Sequence, residues 1–105
     1  MQIIEAPVFT RKIRALLSDV DYHRLQIELV VRPLAGKVIP GSGGLRKIRW
    51  HSHGKGKSGG IRVIYYVVTH ENKLLMLYAY AKNEQEDLTK EQIKILRKYI
   101  EEEYP

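Results

Sequence analysis

The chain has 105 residues, 44% of them hydrophobic, so it can form one compact domain with one core and is neither disordered nor divided in two. Because it has no cysteine, disulfides, iron–sulfur clusters and thiolate zinc sites are excluded, and a reducing cytoplasm is the expected setting. No apolar run approaches the roughly 20 residues that cross a bilayer, so no membrane partner is expected, and the formal net charge of +6 favours a polyanionic one.

The N-terminal third of the chain predicts one short strand followed by two helices. Residues 2–5 are typical of an edge strand. Pro7 suits the first turn of a helix, in which apolar residues recur at helical spacing: Phe9, Ile13, Leu16 and Leu17. Ser18 and Asp21 have the spacing of an N-cap for a second helix, and Arg32-Pro33 ends it. The apolar stripe of that helix comprises Tyr22, Leu25, Leu29 and Val30.

The C-terminal part predicts three strands and a last helix. Residues 45–51 alternate basic and apolar side chains, residues 61–69 are β-branched and aromatic, and residues 74–82 form another apolar strand after a turn. Thr89 and Gln92 have the spacing of a capping box. The helix that follows buries a stripe of three residues: Ile93, Leu96 and Ile100.

The element order β-α-α-β-β-β-α predicts an α+β fold, with residues 1–105 as a single domain. We expect a small antiparallel sheet with two N-terminal helices and a C-terminal helix covering one of its faces. The other face is then open to solvent.

Charge is distributed unevenly along the chain. Between Glu28 and Glu71 there is no acidic side chain, whereas eight cations fall there: Arg32, Lys37, Arg46, Lys47, Arg49, Lys55, Lys57 and Arg62. A segment of this length without carboxylates is typical of a polyanion footprint, because a nearby carboxylate would weaken each phosphate contact. A solvated basic surface is the alternative interpretation.

All eight glycines lie in the same middle segment, between Gly36 and Gly60. Residues 54–60 (GKGKSGG) predict a wide, flexible connection between two strands, with Lys55 and Lys57 near its tip. Glycine lets the backbone approach a ligand closely, so both lysines are candidate contacts to a phosphate backbone. Surface loops are also rich in glycine and lysine for solubility alone.

Strand alternation assigns side chains to the two faces of the predicted sheet. The apolar sets are expected to face the helices: Ile48, Trp50, Val63, Tyr65, Val67, Leu75, Leu77, Ala79 and Ala81. The open face then gathers cations and tyrosines, beside Ile64 and Met76: Lys47, Arg49, Arg62, Tyr66, Tyr78, Tyr80 and Lys82. Cations for phosphates, interleaved with rings that stack on bases, favour single-stranded RNA as the ligand. Half-buried structural tyrosines are the alternative.

Three other chemistries are considered and set aside. Gly56-Lys57-Ser58 resembles the end of a Walker loop, but the leading glycine is missing and a strand follows instead of a helix. His51, His53 and His70 have no cysteine or acid grouped with them, so a metal site is not expected. A two-metal nuclease needs carboxylates, and the acids beyond the last strand are expected to be cap and surface residues: Glu84, Glu86 and Asp87.

Four segments, in this order, resemble the RelE/HigB superfamily of bacterial toxins, and most closely its HigB-type, phage-derived Gp49-like branch. They are GGLRKIR (43–49), GKGKSGG (54–60), IRVIYY (61–66) and YAKNEQEDL (80–88). The resemblance implies a RelE-like fold and a small endoribonuclease, an mRNA interferase that cuts mRNA on the ribosome and inhibits translation. It implies attack of the ribose 2′-hydroxyl on the adjacent phosphate without metal or cofactor. It also implies an antitoxin partner, which we expect to be of the helix-turn-helix HigA type.

The resemblance further assigns catalytic residues. The family's paired basic residues fall on Lys47 and Arg49, its next arginine on Arg62, and the basic residue that closes the last strand on Lys82. Arg62 and Lys82 are expected to stabilise the phosphate and the charge of the transition state. Lys47 and Arg49 are expected to position the substrate and to take part in proton transfer.

This chain departs from the family pattern at two positions. Many members carry an arginine where it has Asn83, and an aromatic proton-transfer residue where it has Leu88. Tyr80 is the replacement candidate for proton transfer, and it completes the predicted catalytic set. The remaining predicted RNA contacts are Arg46, Lys55, Lys57, Tyr66 and Tyr78.

Two other functions stay open from the sequence. One is a non-catalytic RNA- or ribosome-binding module on the same basic sheet face, which would show salt-sensitive binding without strand scission. The other is a protein-interaction domain whose basic face receives an acidic peptide and nothing else. A cleavage assay separates both from the endoribonuclease.

Overall fold

A computed structural model describes residues 1–51 and 60–105. Its elements, in chain order, are β1 (Gln2–Glu5), α1 (Pro7–Leu16), α2 (Asp19–Val31), β2 (Lys37–Val38), β3 (Arg46–Trp50), β4 (Ile61–Val68), a 3₁₀ helix (Thr69–Glu71), β5 (Lys73–Ala81) and α3 (Lys90–Glu103). The predicted α+β class with three helices is confirmed. The two-residue strand β2 was not predicted, because so short a strand carries no period-two pattern.

The five strands form one mixed sheet in the order β1-β5-β4-β3-β2. β1 lies at an edge, as predicted, but it runs parallel to β5, with Gln2 opposite Lys73 and Glu5 opposite Met76. The expected antiparallel pairing holds for the other three strand pairs only. Strand direction follows from the route of the chain between strands, which alternation within one strand cannot reveal.

The predicted helix boundaries are confirmed by their caps. Pro7 lies in the first turn of α1, and the Ser18 side chain accepts a hydrogen bond from the Asp21 N–H at 3.1 Å. Thr89 forms both hydrogen bonds of the capping box that opens α3. Val30 does not belong to the buried stripe of α2, because 44% of its surface is exposed.

The helices lie on both faces of the sheet. The first face is the one covered by α1 and α2, which contribute Phe9, Ile13, Leu25 and Leu29 to a core with Val63, Tyr65, Leu74 and Met76. The second face is covered in part by α3, and its core joins Leu88 and Ile100 to Leu45, Ile64, Leu75, Leu77 and Tyr80. The prediction that all helices share one face is therefore wrong. Both alternating sets of side chains on the central strand β4 are largely apolar and buried. Helices therefore pack on both faces of the sheet at this strand.

A β-bulge in β5 places the side chains before it on the faces opposite to those predicted. Ile64 pairs with Tyr78 but Tyr65 pairs with Met76, so Leu77 is an extra residue in the ladder. Leu75 and Leu77 were predicted to face the N-terminal helices but lie in the core of the second face, and Met76 lies in the core of the first. Alternation is interrupted at the bulge, and the assignments of Tyr78 and Ala79 beyond it are confirmed.

No described helix has the length and apolarity needed to span a membrane.

Candidate functional site

Predicted catalytic residues lie side by side on the second face, at the end of the sheet where β3 ends and β4 begins. Arg49 on β3 pairs with Arg62 on β4, and Arg62 pairs with Tyr80 on β5. Lys82 follows β5 and donates its backbone N–H to the Gly60 carbonyl at 3.2 Å, so strand pairing continues one residue further. Alternation then places Lys82 on the same face as Tyr80.

The second face is not open in the way the sequence predicted. Helix α3 packs over it, and Tyr80 is fully buried while Arg62 is only 4% exposed. Arg49 and Lys82 are exposed. The expectation of an uncovered sheet face is therefore wrong, and the accessible part is the margin beyond α3, where the apolar cover ends.

A carboxylate lies in the site, contrary to the expectation that this region holds no acid. Lys47 lies two residues before Arg49 on β3 and on the same face of the sheet. Its Nζ donates a hydrogen bond to Asp87 Oδ1 at 2.8 Å. This bond and the charge of Lys47, with a smaller contribution from Arg62, hold the pKa of Asp87 below its usual range. Asp87 is a surface residue, as predicted, with 69% of its side chain exposed. Its contact with Lys47 was not predicted, because sequence position does not show that the segment after β5 turns back toward β3.

The phenol of Tyr80 stays protonated at neutral pH. Burial raises the pKa of its phenol, and the charge of Asp87 raises it further, while the charge of Arg62 acts in the opposite direction. Within the described part of the chain, the buried Tyr80 hydroxyl has no hydrogen-bond partner. A protonated phenol with an unused O–H can donate a hydrogen bond or a proton but is a poor base.

Arg46, a predicted RNA contact, has a structural role on the first face. It pairs with Tyr65, and its guanidinium donates to the carbonyls of Leu34 at 3.3 Å and Gly36 at 2.7 Å. These bonds hold the connection between α2 and β2. Arg46 and Lys47 are consecutive on a strand and so point to opposite faces, which separates Arg46 from the cations of the second face.

The two remaining tyrosines pack under α3. Tyr66 and Tyr78 are half-buried against the core of the second face. The Tyr78 ring lies 6.0 Å from that of Tyr80, and Lys12 Nζ lies 5.6 Å from its centroid. The structure therefore places both tyrosines as half-buried sheet residues, the alternative that the sequence left open. The predicted contacts Lys55 and Lys57, like His53, lie outside the described residues.

Sequence reasoning missed a link between α1 and the segment after β5. Lys12 Nζ donates to both carboxylate oxygens of Glu84, at 3.0 and 3.1 Å, and Glu84 also accepts the Ala81 N–H at 3.0 Å. Glu84 is thus the cap residue that was expected, and it also ties the segment carrying Asp87 to the N-terminal helix. No pattern along the chain could reveal Lys12, because 72 positions separate the pair.

Among the described residues, no group of three or more His, Cys, Asp or Glu side chains is arranged to hold a metal ion. The margin of the second face offers instead exposed cations and a carboxylate held by a lysine, while the protonated phenol of Tyr80 is buried beside them. The exposed groups can bind a phosphodiester and accept a proton.

Two comparisons with known proteins bear on the family and the fold of this chain. The family model described as the RelE toxin of the RelE/RelB toxin–antitoxin system matches residues 3–103. The crystal structure of the intact E. coli RelBE toxin–antitoxin complex contains a chain that is similar to this one, with a TM-score of 0.57 and 18% sequence identity. The match covers 76% of this chain and 94% of that one. At this identity the structural likeness concerns the fold.

Proposed function

This chain belongs to the RelE toxin family, and from that premise we propose that it is the toxin of a toxin–antitoxin pair and a metal-independent, ribosome-dependent mRNA endoribonuclease. It would act in the cytoplasm and inhibit translation. Within the family we place it in the HigB-type, Gp49-like branch, with a helix-turn-helix antitoxin of the HigA type encoded beside it. Reading the adjacent open reading frame tests that placement directly.

The bond changes of the reaction consume no reactant other than the RNA itself. The ribose 2′-oxygen forms a bond to the adjacent phosphorus as its proton is removed, and the bond from phosphorus to the 5′-oxygen breaks as that oxygen takes up a proton. The products are a 2′,3′-cyclic phosphate and a free 5′-hydroxyl. Catalysis therefore requires a base, an acid and cations for the charge on the non-bridging oxygens.

The described residues supply each of these roles. Asp87 is ionised at neutral pH and is the base, with Lys47 holding it in place. Tyr80 keeps its proton and is the candidate acid for the leaving 5′-oxygen, a role in which RNA binding must first expose its buried hydroxyl. The exposed Arg49 and Lys82 bind the phosphate.

Arg62 is the central cation of the site. Its charge acts on the pKa of both Tyr80 and Asp87, so it lies within electrostatic reach of the proposed acid and base. Because it is buried, its field is screened less by water than that of an exposed arginine. The lateral row of Arg49, Arg62 and Tyr80 across three strands is the observation that carries the proposal.

The test is an mRNA cleavage assay on programmed ribosomes, in buffer that contains the Mg²⁺ required for ribosome assembly. We expect scission of ordinary mRNA and none where the nucleotide 5′ to the cut carries 2′-deoxyribose. Cleavage of the deoxy substrate, or cleavage of a phosphorothioate mRNA only when a thiophilic metal ion is added, would contradict the mechanism. Salt-sensitive binding without scission would instead select the non-catalytic RNA- or ribosome-binding module.

A further inference from the structure

The carboxylate of Asp87 lies on an exposed connection of the chain. Residues 82–89 join β5 to α3 through turns and bends, and the Asp87 side chain is largely exposed. Its ion pair with Lys47 lies near solvent, where such a pair contributes little to order. Surface loops are mobile unless other contacts hold them. Catalysis by this carboxylate therefore requires a further group that fixes its position.

Gln85 makes two hydrogen bonds that fix the backbone at Asp87. Its side-chain nitrogen Nε2 donates to the Asp87 carbonyl at 2.8 Å and to Gln92 Oε1 at 2.9 Å. An amide NH₂ group has two hydrogens, so both are used. Gln85 therefore ties the peptide group of Asp87 to the first turn of α3.

Gln92 gives Gln85 a fixed partner. Its Oε1 also accepts the Thr89 N–H at 2.9 Å, and its own N–H donates to Thr89 Oγ1 at 3.0 Å, as in a capping box. Because a backbone N–H can only donate, the Gln92 atom that meets it must be the oxygen. Gln85 must then present its NH₂ group to that oxygen, so the orientation of both amides is determined.

Contacts on either side hold the rest of the connection. Before Gln85, the carboxylate of Glu84 accepts hydrogen bonds from Lys12 on α1. After Asp87, Leu88 is buried in the core of the second face. These contacts hold the ends of the connection, whereas Gln85 contacts Asp87 itself.

We propose that Gln85 is a positioning residue, which holds Asp87 so that its carboxylate stays against Lys47 and faces the ribose 2′-hydroxyl. Gln85 acts through Asp87 and transfers no proton itself. The inference rests on the proposed function, in which Asp87 is the base. In the competing interpretation Gln85 only supports the start of α3.

The carboxylate of Asp87 faces charged and titratable groups from four strands. The hydrogen bond from Lys47 on β3 contributes most to its lowered pKa, and Arg62 on β4 contributes less. The Tyr80 phenol on β5 lies within electrostatic reach, and Lys37 on β2 lines the same cavity. Since the bond from Lys47 is the largest of these effects, the pKa of Asp87 reports how well its carboxylate is held against Lys47.

The first test is an NMR titration of the Asp87 carboxyl carbon in the full chain without RNA. Gln85→Leu keeps most of the side-chain volume and removes both donors. We expect the pKa of Asp87 to rise toward the ordinary value of an aspartate in this variant, because its carboxylate is held less well against Lys47. An unchanged pKa would overturn the proposal.

Two control variants separate positioning from stability. Ile100→Ala removes a buried side chain from the C-terminal half of α3, so it lowers stability against urea. Gln2→Leu makes the same substitution as Gln85→Leu at an exposed position on β1. Both controls are expected to leave the pKa of Asp87 unchanged. An equal rise in Ile100→Ala and Gln85→Leu would show that Gln85 only supports α3, and would overturn the proposal.

Single-turnover cleavage on ribosomes is the second test. We expect Gln85→Leu to cut about tenfold more slowly at an unchanged half-saturating protein concentration, because misplacing a catalytic group slows the chemical step and not binding. Combined with Asp87→Asn, Gln85→Leu should cause no further loss, since Gln85 acts through Asp87. A further tenfold loss in the double variant would contradict that role.

The two tests also distinguish failure of this proposal from failure of the proposed function. If the chain cuts mRNA but Gln85→Leu leaves the rate unchanged, the role of Gln85 alone is overturned, whatever the pKa of Asp87. If Gln85→Leu raises that pKa but the chain cuts no mRNA, the nuclease is contradicted, and Gln85 is still supported as the residue that orients Asp87.

Discussion

The two faces of the sheet differ in how far their apolar cover extends. On the first face, α1 and α2 enclose an apolar core that runs from Trp50 and Ile61 to Leu74. On the second, α3 covers the apolar end and leaves Arg49 exposed at the other. The first face thus holds an apolar core that stabilises the sheet. The candidate site lies on the second face, beyond the end of the apolar surface that α3 covers.

Replacing Arg62 by methionine is expected to have the largest effect on that chemistry. Methionine keeps most of the buried volume and removes the charge, so cleavage should fall about 10²- to 10³-fold, as when one donor to transition-state charge is lost. The measurement is single-turnover cleavage on ribosomes, with circular dichroism to confirm folding. Arg46→Met, on the first face, serves as the control and should retain activity.

Leu25→Ala tests whether the first face of the sheet contributes to stability and not to cleavage. Leu25 is fully buried under α2, so its truncation should lower the free energy of unfolding by about 2–5 kcal/mol. Urea titration measures the loss. Cleavage per folded molecule should be unchanged, and a fall beyond the loss of folded protein would show that the first face takes part in the chemistry.

Tyr80→Phe separates stability from activity at a single atom. The Tyr80 hydroxyl is buried and has no described partner, so its removal should leave the free energy of unfolding unchanged or raise it by about 1 kcal/mol. Cleavage should fall about 10²-fold if the phenol is the general acid. Wild-type cleavage by this variant would remove Tyr80 from the mechanism.

The smallest expected effect is the pH dependence that comes from Asp87. Its pKa is lower in the folded state because of Lys47, so the carboxylate stabilises the fold at pH values above its unfolded pKa of about 4. This contribution is lost as the pH falls through the folded pKa. The stability difference between wild type and Asp87→Asn should therefore be positive at neutral pH and shrink in acid. A difference that does not change with pH would contradict the Lys47–Asp87 pair.

The sequence predicted most of the local structure, including which residues of a strand lie on the same face of the sheet. The capping box at Thr89 and the alternation of residues 45–51 are properties of consecutive residues, and both are confirmed. The same alternation brought Arg49 and Arg62 to one face. It failed at Leu77, because a bulge depends on how two strands pair and not on either strand alone.

The sequence by itself determined the class of fold, the ends of the helices and the cations that line up on one face, since short-range periodicity and capping are written in adjacent residues. Only the tertiary structure decided that α3 packs on the second face, that Asp87 reaches Lys47, and that Tyr80 is buried. Each of these results depends on which distant segments come into contact, and that choice minimises exposed apolar surface over the whole chain.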